Sequence, residues 1–184
     1  QNVGSKVIMA MTLITTNTSS NAASSSFTSS IDSTYKLYIF KFYDVNPATD
    51  DVDFEFQVNA TDGADYNDSQ ITSTHFRANH DEADSSTALA YKTGDDLAAA
   101  ASFQHLGVHI GNGSDESLAG ELFLFNPSST TYVKHFYGTA QYYAYDNVSH
   151  NTYFAGYIND TTAIDDIQFK MSSGNMDGTI KMYG

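Results

Sequence analysis

The sequence predicts an all-β protein: an antiparallel β-sandwich of jelly-roll or concanavalin-like type with at most one short helix. The first observation is strict alternation of apolar and polar residues, plainest at 52–58 and 167–171, since successive strand side chains point to opposite sheet faces. The second is turn chemistry between such runs. The third is an aromatic content of 14%, which supplies large side chains for a core between two layers.

The composition suits one domain spanning residues 1–184 and excludes several function classes. The chain has no cysteine, which removes disulfides, thiolate catalysis and cysteine-ligated zinc. A formal net charge of −14 repels phosphate backbones, so nucleic acid is not an expected partner. The longest apolar run, 7–14, is too short to cross a bilayer, so no membrane is expected either.

Ten strands are predicted in chain order, and they are separated by Gly, Pro, Asn and Asp. The first is read as a strand and not as a signal-peptide core, because threonine-rich sequence follows it in place of a small-residue cleavage site. The Ser/Thr/Asn/Ala tract 17–30 is expected to be a loop. The strands are 6–16, 35–45, 52–59, 71–78, 105–110, 119–125, 132–145, 152–158, 164–171 and 179–183.

Four local features are expected between and within these strands. Residues 35–43 are apolar on both faces, which is typical of a central strand covered by a second layer or a neighbouring subunit. The long run 132–145 predicts a bulge near Gly138. Asn46–Pro47 and Asn126–Pro127 indicate two similar turns. Acidic residues followed by four alanines favour one short helix over 95–102.

The histidines give little support for a metal centre. His105 and His109 are four residues apart, a spacing that suits zinc on a helix, but on a strand it separates them by about 13 Å. His75 and Arg77, the only arginine, share a strand face as a ligand-gripping pair would. His80 lies among acidic residues in what is expected to be a solvated loop.

Two sets of acidic residues are candidate sites. Asp62, Asp65, Asn67 and Asp68 present hard oxygen ligands within one turn, as calcium requires, but an ordinary polar loop of an acidic protein is the favoured explanation. Glu55 and Glu121 fall on predicted strands and are the best pair for glycoside hydrolysis, which needs two carboxylates facing across a groove. No phosphate-binding loop, dinucleotide fingerprint or nucleophile elbow is present, so no cofactor is expected.

A tyrosine cluster near the C-terminal third is the candidate glycan site. Tyrosine offers a flat apolar face with a hydroxyl rim, which suits stacking on a sugar, and core packing or a subunit interface explains the same residues. The cluster comprises Tyr137, Tyr142, Tyr143, Tyr145 and Tyr153.

The C-terminal stretch 164–184 resembles the closing hairpin of small structural proteins of tailed bacteriophages, especially marine and cyanobacterial ones. Residues 33–35 leading into 39–42, the segment 46–50, and 125–130 before 134–136 are similar to segments of the same group. The resemblance therefore extends over most of the chain.

This resemblance implies a non-enzymatic virion component, either a capsid decoration or head fibre or a tail fibre or appendage. The expected partners are other copies of the chain, other virion proteins and a host-surface glycan, and the expected location is the virion surface after assembly in the bacterial cytoplasm. The alternative is a lectin-like carbohydrate-binding module, and a polysaccharide-degrading enzyme ranks third.

Overall fold

The computed structural model describes residues 11–184, which form twelve strands and no helix within that range. In chain order the strands are β1 (Leu13–Ala22), β2 (Ser25–Phe27), β3 (Leu37–Pro47), β4 (Val52–Ala60), β5 (Ile71–Asp81), β6 (Thr87–Tyr91), β7 (Gln104–Ile110), β8 (Leu118–Phe125), β9 (Lys134–Ala144), β10 (Val148–Ile158), β11 (Ile164–Met171) and β12 (Met176–Tyr183).

The strands form two layers, and every pairing is antiparallel. The large sheet has eight strands in the order β6-β5-β10-β9-β8-β3-β12-β1. The small sheet has four in the order β7-β4-β11-β2. A single bridge between Ile110 and Ala144 joins the sheets at one corner. The antiparallel all-β, sandwich-like architecture predicted from the sequence is confirmed.

The core lies between the two sheets and is rich in phenylalanine. Phe56 of the small sheet packs edge-on against Phe136 of the large one, with ring centroids 5.1 Å apart. At the centre, the ring of Phe169 on β11 meets five others from both layers, which are Phe27, Phe40, Phe42, Phe54 and Phe56. Offset and edge-to-face contacts of this kind add to the stabilisation from burial alone.

The N-terminal part differs from the prediction. Residues 6–10 of the predicted first strand lie outside the described residues, and β1 continues to Ala22. The tract 17–30, expected to be a loop, contains most of β1 and all of β2. Its polar side chains alternate along strands that pair with β12 and β11, where one face stays in water. Low sequence complexity was therefore the wrong signal for a loop here.

The helix predicted over 95–102 is absent, because this segment pairs with β5. The amide of Ser73 donates to the carbonyl of Leu97 at 2.9 Å, and Ile71 forms a bridge with Ala100. These contacts continue the edge of β5 beyond its pairing with β6, a strand that the sequence did not predict. Tertiary pairing thus overrides the helix propensity of the alanines.

The bulge expected near Gly138 is also absent, since β9 keeps an unbroken register with both β8 and β10. A Cβ on Gly138 would overlap the Glu121 carbonyl and the Phe154 ring, so close packing explains this glycine. The two Asn-Pro segments also differ from each other. Pro47 ends β3 opposite Met176, whereas Asn126 begins a tight turn.

Within residues 11–184 there is no helix long and apolar enough to cross a membrane.

Candidate functional site

The outer face of the large sheet carries one apolar side chain on each strand, and all except the buried Ile39 remain partly exposed. They form two runs of cross-strand partners, one on β6, β5 and β10 and the other from β9 to β1. The two runs are offset by two residues, because Tyr153 pairs with Thr139 and Tyr137 pairs with Ala155. Because neighbouring strands are about 4.8 Å apart, these side chains extend for about 34 Å across the eight strands. We call it the apolar row; from β6 to β1 its members are Tyr91, Phe76, Tyr153, Tyr137, Phe123, Ile39, Tyr183 and Leu13.

Stacked rings form the middle of this row. Phe76 stacks on Tyr153 with centroids 5.1 Å apart, and Tyr137 stacks on Phe123 at 4.8 Å, both pairs with planes 14° apart. Phe76, Tyr153 and Tyr137 are still 41%, 43% and 48% exposed, and Tyr91 is 51% exposed. At roughly 200 Å² per ring, these four leave about 370 Å² open, within the range of the largest apolar patch of a typical monomer.

A shallow depression of about 420 Å³ lies beside Tyr137 on the same face. Ala155 and Gly156 of β10 leave room for it, and Tyr157 lines it with Tyr137. Phe123 covers Tyr137 from β8, while Ala155 is its neighbour on β10. One side of the Tyr137 ring therefore contacts Phe123, and the other side borders the depression.

The predicted tyrosine cluster is not one cluster. Tyr137 and Tyr153 belong to the apolar row. Tyr142 points inward and is fully buried, and its hydroxyl accepts a hydrogen bond from a β7 backbone amide at 3.0 Å, so it cannot stack on a ligand. Tyr143 is half-buried on the outer face beside a different cavity, and Tyr145 lines a third one.

The acidic loop after β4 uses its polar side chains locally. Asp65 accepts a hydrogen bond from the amide of Asn67 at 3.0 Å, and Asp68 accepts one from a loop amide at 3.2 Å. Asp62 accepts from a threonine hydroxyl in the loop before β11 at 3.0 Å. In the part of the chain that the structure describes, no three His, Asp or Glu side chains are grouped to hold a metal. The structure does not gather these four residues around one point.

Glu55 and Glu121 lie on opposite outer surfaces of the sandwich. Glu55 is on the outer face of the small sheet, where its carboxylate is 2.8 Å from the Lys170 ammonium. Glu121 is on the outer face of the large sheet, 2.7 Å from the Lys41 ammonium. The two carboxylates therefore do not face each other across a groove, as hydrolysis of a glycosidic bond requires.

Three histidines are placed separately and pair with acidic neighbours. The ring of His105 is 3.8 Å from a Glu55 oxygen on the small sheet. His109, at a positive φ of 63°, lies 2.7 Å from an Asp51 oxygen. His80 pairs with an exposed aspartate at 3.1 Å. Each of these three histidines therefore has an acidic side chain as its local partner.

A polar pocket of about 500 Å³ opens at the end of the sandwich between β5, β10 and the end of β7. It lies on the inner face of the large sheet, beyond the hydrophobic core. We call it the Arg77 pocket; its lining includes Arg77, Asn79, Asp81, Tyr145, Asp146 and His150. Alternation places Arg77 on the same strand face as His75, as the sequence predicted, and that face is the buried one.

Burial controls the titration of the histidines behind this pocket. Desolvation lowers the pKa of His150 to about 4, and the positive charge of Arg77 acts in the same direction. Desolvation likewise lowers the pKa of His75 to about 4, although Asp95 opposes the shift. Both imidazoles are therefore neutral at pH 7, and the 3.6 Å contact of His75 with Asp95 is not an ion pair there. Of this arrangement, the sequence predicted only that His75 and Arg77 share a strand face.

The fold and these surfaces define a class: an antiparallel β-sandwich with a broad aromatic outer face and a polar pocket between its layers. A scan against models of protein families and searches of characterised proteins and solved structures find no match.

Proposed function

We propose that this chain is a non-enzymatic structural protein of a tailed-phage virion surface, a capsid decoration or head fibre or a tail fibre or appendage, and that it assembles with copies of itself. The observation that carries the proposal is the apolar row, which crosses the eight strands of one sheet face and includes stacked, half-exposed rings. Aromatic side chains with few charges are typical of interface cores. The phage context rests on the resemblance of the sequence segments.

The size of this face supports a second copy as its occupant. Eight strands give a width of about 34 Å, and the seven strands other than β6 have 8–11 residues, which gives about 30 Å in the other direction. The resulting area of about 1,000 Å² exceeds the roughly 800 Å² that each partner buries in a stable complex.

Charge also favours the apolar row as the contact region between copies. A chain of net charge −14 repels its own copies over most of its surface, whereas the row itself contains no Asp or Glu. The nearest charged pair on the face, Lys41 with Glu121, is internally neutral.

Sedimentation of the purified chain tests this proposal. We expect the wild type to associate at micromolar concentration and Tyr137→Glu to be monomeric, because a carboxylate in the middle of the seam would be buried without a partner. Tyr132→Glu is the matched control, since Tyr132 is 70% exposed in the loop before β9 and outside the row. A monomeric wild type, or equal association of Tyr137→Glu and wild type, would overturn the proposal.

One observation favours a second candidate function, a lectin-like module for host-surface glycans. The depression beside Tyr137 leaves one side of that ring open, so a sugar ring can stack there, and Tyr157 also lines the depression. A glycan array probed with wild type and Tyr137→Ala distinguishes the two candidates. Binding that is lost in Tyr137→Ala supports the lectin function, and absence of any glycan signal rejects it.

A further inference from the structure

We propose that the Arg77 pocket binds a sugar acid, meaning a monosaccharide unit that carries one carboxylate and several hydroxyls. The inference is independent of assembly through the apolar row, because the pocket lies between the two sheets at the end of the sandwich.

The first argument is an arginine with two unmatched donor atoms. Arg77 is the only arginine of the chain, and its Nε and Nη1 are shielded from solvent without a hydrogen-bond partner in the structure. No carboxylate of residues 11–184 forms an ion pair with it. The Tyr142 hydroxyl is a hydrogen-bond partner of its side chain, but this group is neutral and leaves Nε and Nη1 unmatched. Guanidinium nitrogens removed from water are costly unless they are hydrogen-bonded, and a planar carboxylate matches their donor geometry.

The second argument is a buried histidine with an unmatched nitrogen. His150 is 5% exposed and lines the pocket, and its Nδ1 has no partner. A neutral imidazole has one donor and one acceptor nitrogen, and a hydroxyl can pair with either. Arg77 therefore requires a ligand acceptor while His150 Nδ1 can pair with a ligand hydroxyl, and a molecule with both a carboxylate and a hydroxyl satisfies the two together.

Charge around the pocket selects a singly charged ligand. Asp81 and Asp146 line it with the single guanidinium, and the whole chain has a net charge of −14. Asp81 is held in place, since it accepts hydrogen bonds from the amides of Ser85 and Ser86. A monocarboxylate adds one negative charge to a lining that has two carboxylates and one guanidinium, whereas a phosphate ester adds two, so the monocarboxylate is repelled less. Asp146 can accept hydrogen bonds from the sugar hydroxyls.

The remaining lining suits the body of a sugar. Tyr145 is 44% exposed and offers an aromatic wall for sugar C–H groups, and Asn79 supplies an amide with both donor and acceptor atoms. The volume of about 500 Å³ lies in the usual range for small-molecule sites.

Isothermal titration or ligand-observed NMR with glucuronate and N-acetylneuraminate at millimolar concentration tests the proposal. Glucose and N-acetylmannosamine are the neutral counterparts, and inorganic phosphate is the anion without a sugar. We expect at least one sugar acid to bind at least tenfold more tightly than its neutral counterpart and than phosphate. We expect Arg77→Gln to abolish that preference.

Tyr145→Ala gives a second test that does not depend on a buried residue. It should weaken sugar-acid binding severalfold while the circular dichroism and thermal midpoint stay those of the wild type. Tyr143→Phe, in the neighbouring cavity, and Tyr132→Glu, in the exposed loop before β9, should bind as the wild type does. Equal binding of acid and neutral sugar, preference for phosphate, unchanged binding in both pocket variants, or no binding by either sugar acid would each overturn the proposal.

Discussion

His75 is a fully buried imidazole that the fold holds in its neutral form. Its folded pKa of about 4 is lower than the 6.5 of an exposed histidine, so the unfolded chain binds more protons between these values. The stabilisation from keeping His75 neutral is therefore complete above pH 6.5 and is lost as the pH falls towards 4. At about 1.4 kcal/mol per pKa unit, the loss is about 3 kcal/mol.

We expect the free energy of unfolding of His75→Gln to fall less than that of the wild type between pH 6.5 and 4. Urea titrations at four pH values in this window measure both slopes. His80→Gln changes an exposed histidine and should keep the wild-type slope. Parallel slopes for His75→Gln and wild type would contradict the account.

Gly138 is a second residue whose role is set by close approach. We expect Gly138→Ala to lower the free energy of unfolding by about 2 kcal/mol, because the added methyl would be forced against the Phe154 ring and the β8 backbone. Gly94→Ala is the control, since a Cβ there meets no atom within 4 Å. Thermal unfolding should separate the two variants, and equal midpoints would show that β9 and β10 can move apart at little cost.

The strand pleat alone predicts which residues of one strand share a face. Period-two alternation along β9 puts Tyr137 and Tyr143 on one face and Tyr142 on the other, so these three residues cannot form one platform. The partial burial of Arg77 had no comparable signal. A charged residue at an inner position is exceptional, and only the assembled layers show that the pocket accommodates it.

At the scale of elements, Lys134 ties a loop to the first residue of β9. Its side chain is fully buried, and its ammonium donates to the carbonyls of Asp160 at 3.0 Å and of Thr162. We expect Lys134→Met to cost about 2–3 kcal/mol, because the volume is kept while two carbonyls lose their donor. Urea unfolding measures the change.

Lys36→Met provides the comparison for this lysine. The Lys36 ammonium is exposed and donates to the Asn126 side chain at 3.2 Å, so its replacement should change stability by less than about 0.5 kcal/mol. Similar losses of unfolding free energy in the two variants would mean that the buried hydrogen bonds of Lys134 stabilise the fold no more than the exposed one of Lys36.

Strands were predictable where one face is dry and the other wet. Alternation located β4 and β11 within a few residues, because their inner residues are phenylalanine, valine and isoleucine. It found only the beginning of β1 and missed β2 and β6, all of which lie at sheet edges. β1 and β6 bury few side chains, and β2 has only three residues. It also failed for the segment 95–102, where pairing with β5 decides the backbone conformation. Local sequence carries no information on such distant partners.

At the scale of the molecule, like charge opposes association of copies while the apolar row favours it. We expect the dissociation constant between copies to fall as sodium chloride rises from about 50 mM to 500 mM, since salt screens repulsion between chains of net charge −14. Sedimentation equilibrium at both salt concentrations measures it. Weaker association at high salt would indicate an interface held by ion pairs and not by the apolar row.

Image reconstruction of the assembled virion is the most direct test that this chain is a virion surface protein and assembles through the apolar row. We expect this chain to lie on the particle surface, with Phe76, Tyr153 and Tyr137 buried in a contact with a neighbouring copy. A particle without the chain, or one in which the apolar row faces solvent while copies meet elsewhere, would contradict it.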